Sequence, residues 1–522
     1  MPGTISSRTK LCRQHGFIDW HTGRSWVWAL LSLFAGGVTT LAFAPFDLVP
    51  LVFIAVAIML VLWQKLPHRK AVLSAWLFSM GLQMTGVSWI FHSLHTHGNA
   101  PAWFSIILIF LLACYLSIYP ALAVYAVRRF LPAKEPVRLL LLFPVSWVLF
   151  EWLQGYVMTG FSWMQRGYTQ LDTALSGFAP VMGSHAVSGL VVSSAGFLAL
   201  LYLNRAWLPQ VVSRDRRLLM ALAVLVMIWA GGAVLKTIDW TRAEGEPLRV
   251  SVIQGNIEQS IKWKQHMKQP TLNLYQRLTL EQQDADLVIW PETAVPDYRH
   301  RMQSYIKRLH RTLEQRDTEL IFGIFIKQDG RLLNSAINTR GDAYSKRHLV
   351  PLGEYIPFRS LIAFFNRFVK IPMSDIASGD EDQPLMLAHG VPLGISICFE
   401  EAFSRDVIKD LPEAAILINM SNDAWFEDSH QLAQQNAIGR MRALEAGRYL
   451  IRSTNTGITS LIDPHGEVVD QLPPFEVGVL DVEVQPFAGA TPFVNWGNGL
   501  AVALSVLCML LWIYLGRPRG GT

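Results

Sequence analysis

Two textures divide the chain. As far as residue 235, apolar residues run on for stretches close to the roughly 20 helical positions needed to cross a bilayer core. Spans are predicted at 26–44, 47–64, 71–91, 102–127, 138–157, 184–203 and 218–235, with nothing comparable until 499–515. The weakest of them, 47–64 and 184–203, have the alternative of being buried core helices. Between Lys236 and Trp496 the runs shorten to β-branched clusters separated by amphipathic stretches and turns, an α/β pattern. Strands are predicted at 249–254, 286–290, 319–326, 334–340, 393–398, 414–419, 449–454 and 477–482, and helices at 270–283, 301–315, 402–410 and 430–446. The chain therefore reads as a membrane domain of seven transmembrane helices (1–235), a water-facing domain (236–498), and an eighth transmembrane helix with a tail (499–522).

Composition and charge agree with this pattern. Of 522 residues, 51% are hydrophobic and only 16% charged, too apolar for a wholly soluble protein. Lys and Arg are retained in cytoplasmic loops. They cluster before the first span (Arg8, Lys10, Arg13, Arg24), after the second (Lys65, Arg69, Lys70), after the fourth (Arg128, Arg129, Lys134, Arg138) and after the sixth (Arg205, Arg214, Arg216, Arg217). The intervening loops hold almost none, Arg166 being the exception. Seven crossings from a cytoplasmic amino terminus place 236–498 on the outer face, and the eighth returns Arg517 and Arg519 to the inside. The net charge of +5 is accounted for by these loops and gives no reason to invoke nucleic acid. The first span is too long, and too soon followed by another, for a cleaved signal peptide.

Candidate chemistry comes from three segments in which an apolar run ends on a polar residue: LVIWPE at Glu292, YSKRHLVPLGEYIP with Lys346 and Glu354, and GISICFE with Cys398 and Glu400. Strand ends are where α/β folds present functional side chains. Cys398 is alone in the water-facing domain, since Cys12 is cytoplasmic and Cys114 and Cys508 fall in spans. A lone thiol on an oxidising side is either buried or used. A thiol of pKa about 8.5 needs a base or cation to act as a nucleophile, and Glu292 fits the base. Lys346 fits the donor that meets negative charge on a carbonyl oxygen under attack. Glu354 and Glu400 suit supporting catalytic positions, with a surface charge as the alternative for Glu400.

WPET, YSKRHLVPLGEYIPF, SICFE and NMSNDAWF, in this order, resemble the nitrilase superfamily. With seven spans before and one after, the chain is similar to that superfamily's membrane-bound branch, the apolipoprotein N-acyltransferases. LAFAPFD, TGFSWMQRGYTQ, QGNIEQSIKW and GRMRALEAGRYLIRSTNTGIT extend the likeness over nearly the whole chain. The resemblance implies an αββα sandwich on the outer face of a bacterial inner membrane, facing the periplasm, with Glu292, Lys346 and Cys398 as the triad. It implies that Cys398 takes an acyl chain from a phospholipid, typically phosphatidylethanolamine. The thioester then passes to the α-amino group of a diacylglyceryl-cysteine on an apolipoprotein, with no metal or organic cofactor and a monomeric enzyme. It also implies substrate contacts at Trp263, Phe399 and Trp425. Four features depart from the family pattern: Phe399 stands where Tyr is common, Glu427 closes Trp425-Phe426-Glu427 where Gly is common, DSHQLAQQN stands where a Pro-Trp-Gln-His run often follows, and Ser162 replaces Pro.

Further features bear on a lipid substrate. The stretch 358–373 places apolar residues at helical spacing beside Arg359, Arg367 and Lys370, as in a lid dipping into headgroups, with core packing as the ordinary alternative. Glu151, at the end of the fifth span, is costly in lipid and so a candidate for gating or headgroup contact. His92, His95 and His97 are not expected to bind metal, because no carboxylate or thiol accompanies them and the expected chemistry has no need of metal. Gly36 and Gly37 are expected to allow close helix packing. Two competing readings are a membrane-tethered hydrolase that gives the acyl group to water and an inactive lipoprotein-binding scaffold.

Overall fold

The computed structural model describes residues 26–204, 216–355 and 375–515. The predicted lid at 358–373 and Cys12 lie outside these residues. The amino-terminal part is a helical bundle: α1 (Val27–Thr39), α2 (Pro50–Lys65), α3 (His68–Gly86), α4 (Ala102–Leu116), α5 (Ile118–Phe130), α6 (Phe143–Gln154), α7 (Ala179–Leu203) and α8 (Arg216–Leu235). Four helical stretches are long and apolar enough to cross a membrane: Ala102–Phe130, Glu135–Gln154, Ala174–Leu203 and Arg216–Leu235. Val27–Ala42, Pro50–Lys65 and Gly499–Leu515 are apolar but shorter. At 1.5 Å per residue, 17 helical residues extend about 26 Å, short of a hydrocarbon core of about 30 Å.

Two sequence features explain the packing. A Cβ on Gly36 would lie 1.8 Å from the Phe78 carbonyl oxygen, and one on Gly81 would lie 2.0 Å from that of Leu33, so α1 and α3 cross backbone against backbone. Gly37 faces the same crossing, its nitrogen 2.9 Å from where a Cβ on Gly81 would stand, although a Cβ on Gly37 itself would meet only ordinary contacts. Predicted span 184–203 becomes the centre of the bundle. Its helix α7 is buried along nearly its whole length and touches α2, α6, α8 and the carboxy-terminal α12 (Gly499–Leu515). A helix apolar on every side can be satisfied only where neighbours surround it.

The second part is a four-layer sandwich. One six-stranded sheet runs β13-β2-β3-β4-β5-β6, from β2 (Leu248–Gln254), β3 (Leu287–Ile289), β4 (Glu319–Gln328), β5 (Arg331–Asn338), β6 (Ala343–Ser345) and β13 (Gly478–Val484). The other runs β12-β11-β10-β9-β8-β7, from β7 (Met386–Ala388), β8 (Val391–Ile397), β9 (Ile416–Ser421), β10 (Leu450–Thr454), β11 (Ser460–Ile462) and β12 (Val468–Gln471). A two-stranded ribbon of β1 (Arg242–Ala243) and β14 (Phe487–Ala488) stands where the chain enters and leaves this part. Val250, Ile289, Ile395 and Ile418 fill the space between the sheets. Helices α9 (Gln265–Glu281) and α10 (Arg299–Glu314) cover the first sheet from outside.

Helix α11 (Gln431–Ala446) covers the second sheet and joins the two parts of the molecule. Ala443 and Ala446 pack on Leu417 and Leu450, while Ile438, Met441 and Leu444 share a core with the membrane bundle. The predicted helix 402–410 is instead a chain of single turns, Cys398–Ala402, Ser404–Val407 and Ile408–Asp410. Predicted strand 334–340 is observed as β5, Arg331–Asn338. The short strands β6, β7, β11 and β12 have no predicted counterpart, because three or four residues carry too little alternation to be recognised.

Candidate active site

Parallel pairing of β2-β3-β4 and of β8-β9-β10 brings several strand ends to one edge of the sandwich. Glu292 follows β3, Cys398 follows β8, Asn422 follows β9 and Asn455 follows β10. Lys346 follows β6, held in line by the Lys346 N–H donating to the Asn334 carbonyl at 2.8 Å. Left-handed backbone gathers here: Thr293 (φ 50°), Cys398 (φ 54°), Leu352 (φ 62°) and Asn256 (φ 49°) are all non-glycine residues. Such outliers persist only where surrounding contacts hold them, and they concentrate at functional sites.

Each predicted carboxylate and cation has defined partners. Glu292 is buried; its Oε1 accepts from Asn334 Nδ2 at 2.6 Å and its Oε2 from the Asn422 N–H at 2.9 Å. Lys346 is 1% exposed and donates to Glu354 Oε1 at 2.9 Å. Glu354 Oε2 accepts from the Val350 N–H at 2.8 Å, and Asn334 Nδ2 reaches Glu354 Oε1 at 3.3 Å, so one amide spans both carboxylates. Glu400, whose alternative reading was a surface charge, is 0% exposed. It accepts from the N–H groups of Ile397 (2.7 Å), Arg347 (2.7 Å) and His348 (3.0 Å) and from Tyr344 Oη (3.0 Å), tying the strand before Cys398 to the segment carrying Lys346. Burial pushes the Glu400 carboxyl up to about 7, against the pull of those backbone donors and of Lys346. These partners are all donors, so the carboxylate is the form the geometry suits.

The electrostatics assign a resting state. Burial, and then the charge of Glu292, push the Cys398 thiol far above its ordinary range, with Lys346 pulling the other way. The sulfur therefore rests as a thiol and must lose its proton as it attacks. Burial also raises Glu292, which Lys346 opposes. Burial works against the Lys346 ammonium, but Glu354, Cys398 and Glu292 around it hold it well above the ordinary lysine value. The surroundings thus favour a lasting cation at Lys346 and a thiol at Cys398.

An aromatic wall joins this edge to the membrane bundle. Phe399 stacks on Trp163 with ring centroids 6.3 Å apart and meets Phe403 edge-on at 5.0 Å. Trp163 in turn lies 5.0 Å from Trp89, which meets Phe426 at 4.9 Å. Gln434 of α11 pins the pair: its Oε1 accepts from Trp89 Nε1 at 3.1 Å and from Trp163 Nε1 at 2.7 Å. Behind Trp89 a cavity of about 790 Å³ opens between α3, α4 and the start of α11, lined by Phe46, Met84, Ile106, Ile109 and Leu432 among others.

The profile described as "Apolipoprotein N-acyltransferase N-terminal domain" matches residues 35–197, and that described as "Carbon-nitrogen hydrolase" matches 249–492. Proteins named apolipoprotein N-acyltransferase align along almost the whole chain. The one from Methylococcus capsulatus is 38% identical over 480 residues, covering 91% of this chain and 94% of that protein. The one from Pseudomonas syringae pv. tomato is 38% identical over 503 residues, covering 94% and 97%. The one from Vibrio cholerae is 36% identical over 483 residues, covering 90% and 93%. The chain belongs to the apolipoprotein N-acyltransferase family. Like others of that family it is a bacterial membrane protein, and its water-facing domain has the carbon-nitrogen hydrolase fold.

Not every residue singled out from the family pattern joins the cluster in the same way. Trp263 is 38% exposed and rests on Phe325 at 5.6 Å, on the rim. Trp425 meets His97 edge-on at 5.7 Å. Phe399, where the acyltransferase pattern commonly has Tyr, is surrounded by rings and needs no hydroxyl partner. Glu427 corrects the reading of the histidines: a carboxylate does accompany them, 3.1 Å from His92 Nδ1 and 3.6 Å from His97 Nε2. Among the described residues no group of three His, Cys, Asp or Glu is placed to hold a metal ion. Glu151 is buried against Arg166 at 3.5 Å, with Trp147 Nε1 donating to it at 3.3 Å.

Sequence reasoning missed Asn334, Asn422, Gln434 and Lys262. Asn334 sat in plain view as a polar residue opening a predicted strand. Gln434 carried no signal, because a glutamine in a helix is ordinary until its neighbours are known.

Proposed function

We propose that the protein moves a fatty acyl chain from a phospholipid to the α-amino group of the diacylglyceryl-cysteine of an apolipoprotein, through a thioester on Cys398. The single observation that carries this reading is the gathering of Glu292, Lys346 and Cys398 at one strand edge, with Phe399 next to the sulfur stacked on Trp163 of the segment that follows α6. The cavity behind Trp89 is of the size of sites that enclose small molecules, about 300–1,000 Å³, and its apolar lining suits the acyl chain.

In the first half-reaction the Cys398 sulfur attacks the ester carbonyl carbon while its proton passes to Glu292. Charge builds on the carbonyl oxygen, where the Lys346 ammonium stabilises it. Collapse breaks the ester carbon–oxygen bond, and the departing alkoxide takes the proton from Glu292, leaving a lysophospholipid and the thioester. In the second, the neutral α-amine attacks the thioester carbonyl and yields a proton to Glu292. The carbon–sulfur bond breaks, the amide leaves, and the thiolate recovers that proton. Glu354 holds Lys346, and Glu400 and Asn334 hold the segments that carry the three groups. Trp263, Phe399 and Trp425 line the approach of the two substrates.

The same reading places all eight apolar helices across the inner membrane, with the sandwich facing the periplasm, and has the protein act as a monomer. The charge asymmetry of the loops supports that orientation. Mass spectrometry of the intact protein after incubation with phosphatidylethanolamine tests the reading. One acyl equivalent on Cys398, lost when a diacylated lipopeptide is added, is the expected result. Steady fatty acid release with no trapped thioester would replace it with a hydrolase, and unchanged function in cells after Cys398→Ser would replace it with a scaffold.

A further inference from the structure

Lys262 is 1% exposed, and the chemistry proposed for the site gives its ammonium no task. It ends the single turn Gln259–Lys262 ahead of α9. Its Nζ donates to Thr293 Oγ1 at 2.8 Å and to the Glu292 carbonyl oxygen at 3.3 Å, so both acceptors are neutral. A buried ammonium without a hydrogen-bonded carboxylate is costly to keep, which directs attention to the charge that acts on it through space, that of Glu292.

The turn it grips is strained. Thr293 is a β-branched residue at φ 50°, a conformation such side chains rarely take. Gly323 of β4 makes the turn possible, since a Cβ there would lie 2.2 Å from the Thr293 nitrogen. Room alone does not hold the conformation, and Lys262 fastens one side chain and one carbonyl across the strained peptide. The Glu292 carboxylate is thereby aimed at Asn334 and Asn422. Burial pushes the Lys262 ammonium down and the Glu292 carboxyl up, and each charge favours the ionised form of the other. Glu292 also faces Lys346, whose charge favours its ionised form more strongly than that of Lys262, and Glu354, which opposes it.

We propose that Lys262 is a positioning residue for the base: its buried side chain clamps the Glu292–Thr293 turn and keeps the Glu292 carboxylate aimed, adding a positive charge beside it. The next residue, Trp263, is exposed at the rim, so the clamp and the rim belong to one short segment. The inference rests on Glu292 acting as the base, as proposed above.

The test uses full-length purified protein and two readouts across pH: the rate at which iodoacetamide alkylates Cys398, and single-turnover thioester formation from phosphatidylethanolamine. Lys262→Met is expected to slow thioester formation near neutrality about 100-fold and to move the acidic limb of both profiles to higher pH. Lys262→Arg, which keeps a cation, is expected to restore the limb, and Lys262→Gln, which keeps a donor without charge, to leave it displaced. Thr293→Ala loses one anchor and is expected to cost about tenfold in rate with the limb in place; it carries the clamp's test should Lys262→Met fail to fold. A folded Lys262→Met protein with wild-type limbs and rates, or a Thr293→Ala protein with a wild-type rate where Lys262→Met does not fold, overturns the inference. Absence of a thioester in the unaltered protein sinks the acyl-transfer reading instead, while the alkylation profile still reports on Lys262.

Discussion

The site has two walls built from opposite materials. On one side, Glu292, Asn334, Glu354, Lys346 and Glu400 form a buried network in which the named charges are met by short hydrogen bonds. On the other, Trp89, Trp163, Phe399, Phe403 and Phe426 meet ring to ring, with Gln434 holding two indoles. Directional bonds in a dry network tolerate little change, because a lost partner leaves a buried charge exposed to its full desolvation cost. Stacked rings lose contact area gradually. The polar wall is therefore where the chemistry is specified, and the aromatic wall is where the substrate is accommodated. The departures from the family pattern at Phe399, Glu427 and Ser162 all lie on or next to the aromatic side.

That contrast can be broken by mutation. Removing a member of the polar wall is expected to have the largest effect: Cys398→Ala abolishes thioester formation, and Lys346→Met lowers single-turnover acylation about 1,000-fold, as for loss of one oxyanion donor. Glu400→Ala leaves three backbone N–H groups without their acceptor. A loss of about 3 kcal/mol or more is expected in chemical denaturation, together with a fall in kcat.

On the aromatic wall, Gln434→Leu leaves two indole N–H groups without their acceptor. It is expected to raise KM for phospholipid about tenfold with a smaller change in kcat, a split that steady-state kinetics resolves. An equal fall in kcat on both walls would erase the distinction.

The pH dependence sharpens the polar side. Glu292 acts as a base only when ionised, and burial raises its carboxyl above the ordinary value of about 4.3. Activity should therefore disappear, as pH falls, at a pH above the one where an ordinary glutamate would protonate. The kcat/KM profile of the unaltered protein measures that limb. The smallest effect is expected at Glu427, which is 42% exposed between His92 and His97: Glu427→Gly should change kcat/KM less than about threefold.

Much of the sandwich was legible in advance because its long strands alternate or are wholly apolar. The run ELIFGIFI becomes β4 with eight consecutive buried residues. The three polar strand ends were legible for the same reason, since each breaks an apolar run. Lys262 and Gln434 were not, because their meaning depends on partners 31 and 271 positions away, at Thr293 and Trp163. Span 184–203 shows the same limit. Its apolar texture left a crossing helix and a buried helix both open, and its surroundings place α7 at the heart of the bundle.

The amino-acid order by itself determined two environments, eight apolar segments, an α/β domain between the last two of them, and a carboxylate, an ammonium and a thiol at strand ends. These are local properties, written in runs and periodicities of a few residues. Tertiary structure alone decided that Glu400 is buried as the tie between two of those ends, that one amide spans Glu292 and Glu354, and that the segments following α3 and α6 bring Trp89 and Trp163 to the site's aromatic wall. Hydrogen bonds and ring contacts depend on distance in space, and residues far apart along the chain acquire that distance only on folding.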